Sequence, residues 1–75
     1  MKFRFPEVSS RQESVIVQWY AALNDKVMRG DDILEVTSDK ATFDVSSPCD
    51  GTLVKIFKFQ GETVMPGEVI AEIRE

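Results

Sequence analysis

Residues 24–36, "NDKVMRGDDILEV", align without a gap on residues 61–73, "GETVMPGEVIAEI". Five of the thirteen positions are identical, among them Val27/Val64, Met28/Met65 and Gly30/Gly67, and Asp25/Glu62 and Asp31/Glu68 keep their charge. Upstream, "SVIVQWY" (14–20) matches "TLVKIFK" (52–58) in character, with one residue fewer before Gly61. A solenoid needs at least three units, so two related halves within 75 residues predict a single pseudo-symmetric domain spanning 1–75.

Each half reads as β-structure. Val15, Ile16, Val17, Trp19 and Tyr20 are β-branched or aromatic, as are Val54, Ile56, Phe57 and Phe59. "MPGE" at 65–68 puts Pro and Gly at the centre of a type II turn, and "MRGD" at 28–31 repeats it with Arg for Pro. No segment carries a sustained helical period with a cap. Short strands with turn signals between them predict an all-β flattened barrel or barrel-sandwich hybrid.

A further hairpin is predicted around Asp39-Lys40. With a two-residue loop there, Ser38 faces Ala41, Thr37 faces Thr42, Val36 faces Phe43, Glu35 faces Asp44 and Leu34 faces Val45. Val36/Phe43 and Leu34/Val45 then share one face, and a slip of one residue would scatter that set. Neither loop residue is the glycine a type I′ turn prefers, which predicts a type I or looser turn. Glu35 opposite Asp44 is a like-charge pair and a mild conflict. By the repeat, the counterpart of Lys40 falls just past the C-terminus. The counterpart of the strand after the turn is "KFRF", whose Phe3 and Phe5 alternate as Phe43 and Val45 do. The lysine hairpin is therefore expected opposite the chain termini.

Composition removes several chemistries. There is no histidine and a single cysteine, Cys49, so neither a His-based catalytic site, a Cys-rich metal site nor an internal disulfide is available. Ser9, Ser10, Ser46 and Ser47 lack a histidine to activate them. A net charge of −4 without a clustered basic stripe argues against nucleic acid, and no apolar run is long enough to span a membrane. The N-terminus has neither a hydrophobic signal core nor an amphipathic presequence. Trp19 reads as core, Met28 and Met65 as core filler beside turns, and Cys49 as a bystander without nearby cations.

What remains singular is Lys40. A lysine at a hairpin tip ordinarily keeps a turn soluble. The sharper reading is covalent attachment: acylating an amine requires its neutral form, and with a free pKa of about 10.4 the modifying enzyme must desolvate a protruding, firmly held side chain.

The whole chain resembles the lipoyl domain of the acyltransferase component of 2-oxoacid dehydrogenase complexes, within the biotinyl/lipoyl-attachment family. The segments "VQWY", "NDKV", "GDDILEV", "TSDKA" and "SSPCDG" stand where that family has its Trp strand, its two Gly-Asp turns, its Asp-Lys-Ala hairpin and its Ser-Pro-x-x-Gly stretch. The resemblance implies two pseudo-symmetric four-stranded antiparallel sheets, with lipoate in amide linkage to Lys40. It implies that Glu35, Thr37, Ser38, Asp39, Ala41 and Gly51 serve recognition of the attachment hairpin. It implies that the loop Ser9, Ser10, Arg11, Gln12 and Glu13 selects the partner. The partners implied are a lipoate ligase or lipoyl transferase, a 2-oxoacid decarboxylase, an acyltransferase catalytic domain and dihydrolipoyl dehydrogenase. The domain would be a monomeric carrier with no chemistry of its own, working in a bacterial cytoplasm or a mitochondrial matrix.

Biotin carriers of the family flank the lysine with Met, whereas Asp39 and Ala41 are lipoyl-type flanks. Departures from the pattern are Thr37 for a common glutamate, Ser38 for threonine, Asn24 for glycine, and "SSRQES" for a glycine-rich stretch. Two other readings stand beside the lipoate carrier: a biotin carrier, and an unmodified barrel-sandwich scaffold whose hairpin lysine is incidental.

Overall fold

The computed structural model describes residues 1–6 and 13–75. Eight strands run in chain order: β1 (Lys2–Arg4), β2 (Ser14–Trp19), β3 (Lys26–Val27), β4 (Asp32–Thr37), β5 (Thr42–Ser46), β6 (Gly51–Ile56), β7 (Thr63–Val64) and β8 (Val69–Arg74). They form two four-stranded antiparallel sheets, ordered β1-β8-β6-β3 and β5-β4-β2-β7. No helix occurs among the described residues. The chain therefore folds as the all-β sandwich that its repeat and its turn signals predict.

The repeat is visible in individual hydrogen bonds, at a constant spacing of 37 residues. Asn24 N–H donates to Leu53 C=O (2.6 Å), and Gly61 N–H donates to Ile16 C=O (2.8 Å). Leu53 N–H returns to Asp25 C=O, and Ile16 N–H to Glu62 C=O. β2 and β6 carry the same break in register, between Ile16 and Gln18 and between Leu53 and Lys55. These pairs correct the sequence alignment of the first strands: 14–20 corresponds to 51–57, not 52–58, and no residue is missing. The likeness of "SVIVQWY" to "TLVKIFK" misleads because Ser14 matches Thr52 in type and consecutive apolar residues follow both, so a slide of one residue keeps the resemblance. The N-terminal match moves as well. Phe3 pairs with Ala71 as Val45 pairs with Leu34, so Phe3 replaces Val45 and Phe5 replaces Ser47.

Left-handed backbone falls at matching places: Asn24 (φ 73°) with Gly61 (88°), and Gly30 (90°) with Gly67 (83°). Each turn is closed by the amide of its fourth residue, Asp31 to Met28 C=O (2.9 Å) and Glu68 to Met65 C=O (3.1 Å). The side chains of those same acids accept the Met28 and Met65 amides at 3.0 Å. Asp25 and Glu62 accept the amides of Ala22 and Phe59 likewise. The conserved charges of the repeat are thus turn caps, satisfying amides that the strands leave unpaired.

The core lies between the sheets and is built from symmetry-related side chains, Ile16 with Leu53, Ile33 with Ile70, Val36 with Ile73 and Val27 with Val64, all nearly or fully buried. Phe5 meets Phe43 across the gap, ring centroids 6.3 Å apart. Trp19 is half-buried against this core, and its indole N–H donates to Lys58 C=O (3.0 Å). Met28 and Met65 are not core filler: they are 58% and 46% exposed. Val27 and Val64 take the inward positions before them, so strand alternation turns each Met out to solvent.

Candidate functional site

The β4–β5 hairpin has the predicted register: Leu34↔Val45, Glu35↔Asp44, Val36↔Phe43 and Thr37↔Thr42. Val36 is fully buried, which seats the base of the hairpin in the core. Above it the Thr37 and Thr42 hydroxyls meet at 2.9 Å. The Ser38 amide donates to Ala41 C=O (2.8 Å), the Ser38 hydroxyl reaches the same oxygen (3.3 Å), and the Lys40 amide reaches Ser38 Oγ (3.4 Å). Neither Asp39 nor Lys40 has positive φ, so the turn is not type I′. The serine side chain closes it instead. Asp39, Lys40 and Ala41 are all exposed. The Lys40 amine therefore stands on a short projection whose footing is a cross-strand hydroxyl pair and a buried valine.

The like-charge pair below the turn is resolved by its neighbours on β2. Gln18 Nε2 donates to Glu35 Oε1 (2.9 Å), and Tyr20 O–H donates to Asp44 Oδ1 (2.9 Å). Each carboxylate thus has its own donor. Tyr20 registers the arrangement: its hydrogen bond to Asp44, then loss of hydration, then the charges of Asp44, Glu35 and Asp32, push its pKa up to about 12. Sequence reading passed over Gln18 and Tyr20. The signal available was their position across from Glu35 and beside Asp44.

Five of the expected site residues lie away from the hairpin or outside the described residues. Gly51 is not near the hairpin. It opens β6 against the end of β8, where an added Cβ would stand 2.6 Å from Arg74 C=O and 2.7 Å from Ile73 Cγ2. A close backbone approach, not recognition of the hairpin, requires glycine there. Ser9, Ser10, Arg11 and Gln12 fall outside the described residues. Glu13 is exposed and precedes Ser14-Val15, and Val15 pairs with Thr37 at the root of the hairpin.

β5 separates the hairpin from the chain termini. It starts at Thr42 beside the turn and ends at Ser46. Just beyond, Ser47 and Pro48 line a cleft of about 530 Å³ together with Met1 to Arg4, and Cys49 Sγ lies 3.4 Å from Met1 Sδ. The four residue steps from Thr42 to Ser46, at roughly 3.3 Å each, put about 13 Å between the two ends.

The family described as "biotin-requiring enzyme", whose members carry biotin/lipoyl-type domains, matches this chain over residues 1–73. The chain is 43% identical over 63 residues to the dihydrolipoyllysine-residue succinyltransferase component of the 2-oxoglutarate dehydrogenase complex of Rickettsia typhi, covering 84% of this chain and 16% of that protein. It is 35% identical over 72 residues to the dihydrolipoyllysine-residue acetyltransferase component of the pyruvate dehydrogenase complex of Acholeplasma laidlawii, covering 95% and 13%. Among solved structures, the lipoyl domain of the 2-oxoglutarate dehydrogenase complex of Azotobacter vinelandii superposes with a TM-score of 0.72 at 25% identity, covering 100% of this chain and 94% of that one. Urea carboxylase of Kluyveromyces lactis superposes with a TM-score of 0.75 at 23% identity, over 99% of this chain and 7% of its own, a likeness of fold alone.

Proposed function

The chain belongs to the biotin/lipoyl-attachment family, and from that premise we propose that it is a lipoate carrier in which Lys40 bears the cofactor. The observation that carries the proposal is the mounting of Lys40: an exposed amine on a two-residue turn, held by the Thr37–Thr42 hydroxyl pair and the Ser38 closure. A ligase must strip water and a proton from this amine before it can form an amide, and a fixed, protruding turn lets it do so without unfolding the strands. Attached lipoate supplies a disulfide that takes up acyl groups and electrons. The protein's own part is to present the arm and keep it near successive active sites, which raises its effective concentration there.

The relatives supply the setting. The chain spans 16% of the length of the succinyltransferase component it matches, so it corresponds to one domain of such a protein. On this reading it serves an acyltransferase component of a 2-oxoacid dehydrogenase complex, with the decarboxylase, the acyltransferase site and the dihydrolipoyl dehydrogenase as its partners. The flanks Asp39 and Ala41 favour lipoate over biotin. Co-expression with a lipoate ligase, followed by intact-mass measurement, tests the proposal. One added lipoyl group is expected on the wild-type chain and none on Lys40→Arg. Lipoylation of Lys40→Arg, or biotinylation of the wild type by a biotin ligase in place of lipoylation, would overturn it.

A further inference from the structure

The two sheets share a backbone plan but not a charge. Strands β2, β4, β5 and β7 contain Asp32, Glu35 and Asp44 and no cation. Strands β1, β3, β6 and β8 contain Lys2, Arg4, Lys26, Lys55 and Arg74 against the single carboxylate Glu72. All five cations are exposed. The register lays them out as rows on the outer face: Lys2 and Lys55 flank Glu72 on either side, and Arg74 and Lys26 flank Thr52. A chain with a net charge of −4 thus carries a basic sheet on the side away from its attachment hairpin, a cluster the sequence reading lacks because strand pairing gathers cations that are far apart along the chain.

The same face is unusually apolar at one end. Leu23, Phe57 and Phe59 are 53%, 47% and 55% exposed. With Val54, Lys55 and Ile56 they line a depression of about 310 Å³. The other half of the molecule is an internal control. At the spacing of 37, Phe57 corresponds to Tyr20, Phe59 to Ala22, Gln60 to Leu23 and Lys55 to Gln18. Lys2 corresponds to Asp44, because Lys2 pairs with Glu72 as Asp44 pairs with Glu35. Where the acidic sheet has a tyrosine hydrogen-bonded to an aspartate, the basic sheet has a bare phenylalanine beside lysines. The core is symmetric; the divergence is on the surface.

We propose that the outer face of the β1-β8-β6-β3 sheet docks an acidic polypeptide segment, whose carboxylates pair with Lys2, Lys55 and Arg74 and whose apolar side chain enters the Leu23/Phe57/Phe59 depression. Charge complementarity fixes the sign of the partner, and the depression fixes its need for an apolar anchor. A nucleic acid or other long polyanion fits less well, because it would extend past the basic sheet onto the acidic remainder of the domain. Docking here leaves the Lys40 hairpin uncovered, so the domain can be held from one side while the other side works.

The test uses the ¹⁵N-labelled domain and a synthetic peptide of alternating Glu and Leu, with a Gln/Leu peptide as control. Amide shifts are expected along β1, β6, β8 and 57–59, with 38–41 undisturbed. Lys2→Gln and Lys55→Gln should each weaken binding by about two- to fivefold, as for exposed ion pairs. Phe57→Ser, whose fold the same spectra verify, should weaken it further. Equal binding of the Gln/Leu peptide, shifts centred on the acidic sheet, or indifference to Phe57→Ser would overturn the proposal. So would tighter binding of a heparin fragment to this face, or concentration-dependent self-association through it.

Discussion

Replacing Gly51 with alanine separates a packing role from a recognition role. The new Cβ would lie 2.6 Å from Arg74 C=O and 2.7 Å from Ile73 Cγ2, whereas ordinary van der Waals contact begins near 3.4 Å. β6 and β8 must therefore part by roughly 0.8 Å at the Thr52↔Arg74 pair, because the nearer clash is with backbone, and Ile73 must shift in the core as well. Overpacking of this kind costs about 1–3 kcal/mol. Alanine recovers about 0.4–1 kcal/mol by narrowing the unfolded ensemble, since Gly51 does not need a positive φ. The net loss is about 1–2 kcal/mol, which for a domain this small lowers Tm by roughly 5–15 °C. Calorimetric melting of the two proteins reads the shift. Below its Tm the variant should still accept lipoate at Lys40 at the wild-type rate, because Gly51 sits with the chain ends rather than with the hairpin. An unchanged Tm would refute the steric reasoning, and a folded variant that resists lipoylation would refute the spatial one.

Tyr20 is the one tyrosine, so its phenolate absorbance titrates alone: the midpoint should lie near pH 12 and return toward 10 in Asp44→Asn. Because folding favours the neutral phenol, its contribution to stability is complete below pH 10 and disappears as pH climbs through about 12. Asn24→Gly should be neutral or stabilising by a few tenths of a kcal/mol, while Asn24→Ala and Gly61→Ala should each cost about 1 kcal/mol in urea denaturation, since both positions are left-handed. Glu68 has its carboxyl pKa lowered by the Met65 amide first and by Lys58 (3.1 Å) second. Its stabilisation is present above the unfolded-state pKa and lost as pH falls through the folded one, so Glu68→Gln should flatten the acid limb of a stability–pH curve.

The hairpin register was legible because buried Val36 and Val45 leave only one alternation that hides the apolar set. The turn geometry was legible because Gly30 and Gly67 recur with flanking acids, and left-handed backbone has few tenants. The strand offset was not. Both segments run apolar residues consecutively, Val15 to Val17 and Leu53-Val54, and bulges after Ile16 and Leu53 break the period of two, so no alternation remains to fix the offset between them. The methionines misled for a related reason: identity across the repeat signalled a shared position, but the shared position was a turn. Gly51 was assigned by resemblance to the hairpin, and only coordinates reveal that it abuts Arg74. Lys40 stood out early because nothing in the fold requires a cation at that tip.

The Met1 ammonium donates to Ile73 C=O at 2.7 Å, so the two chain ends meet edge to edge. Stepping 37 residues along the pattern, Glu75 occupies the place of Ser38 and Met1 that of Phe43. The open ends are thus the lysine corner with its four-residue bridge, 39–42, left out. A spliced molecule joined there by four residues and cut between Asp39 and Lys40 should reach the same sandwich, with its loose tails now hanging where the Lys40 turn had been.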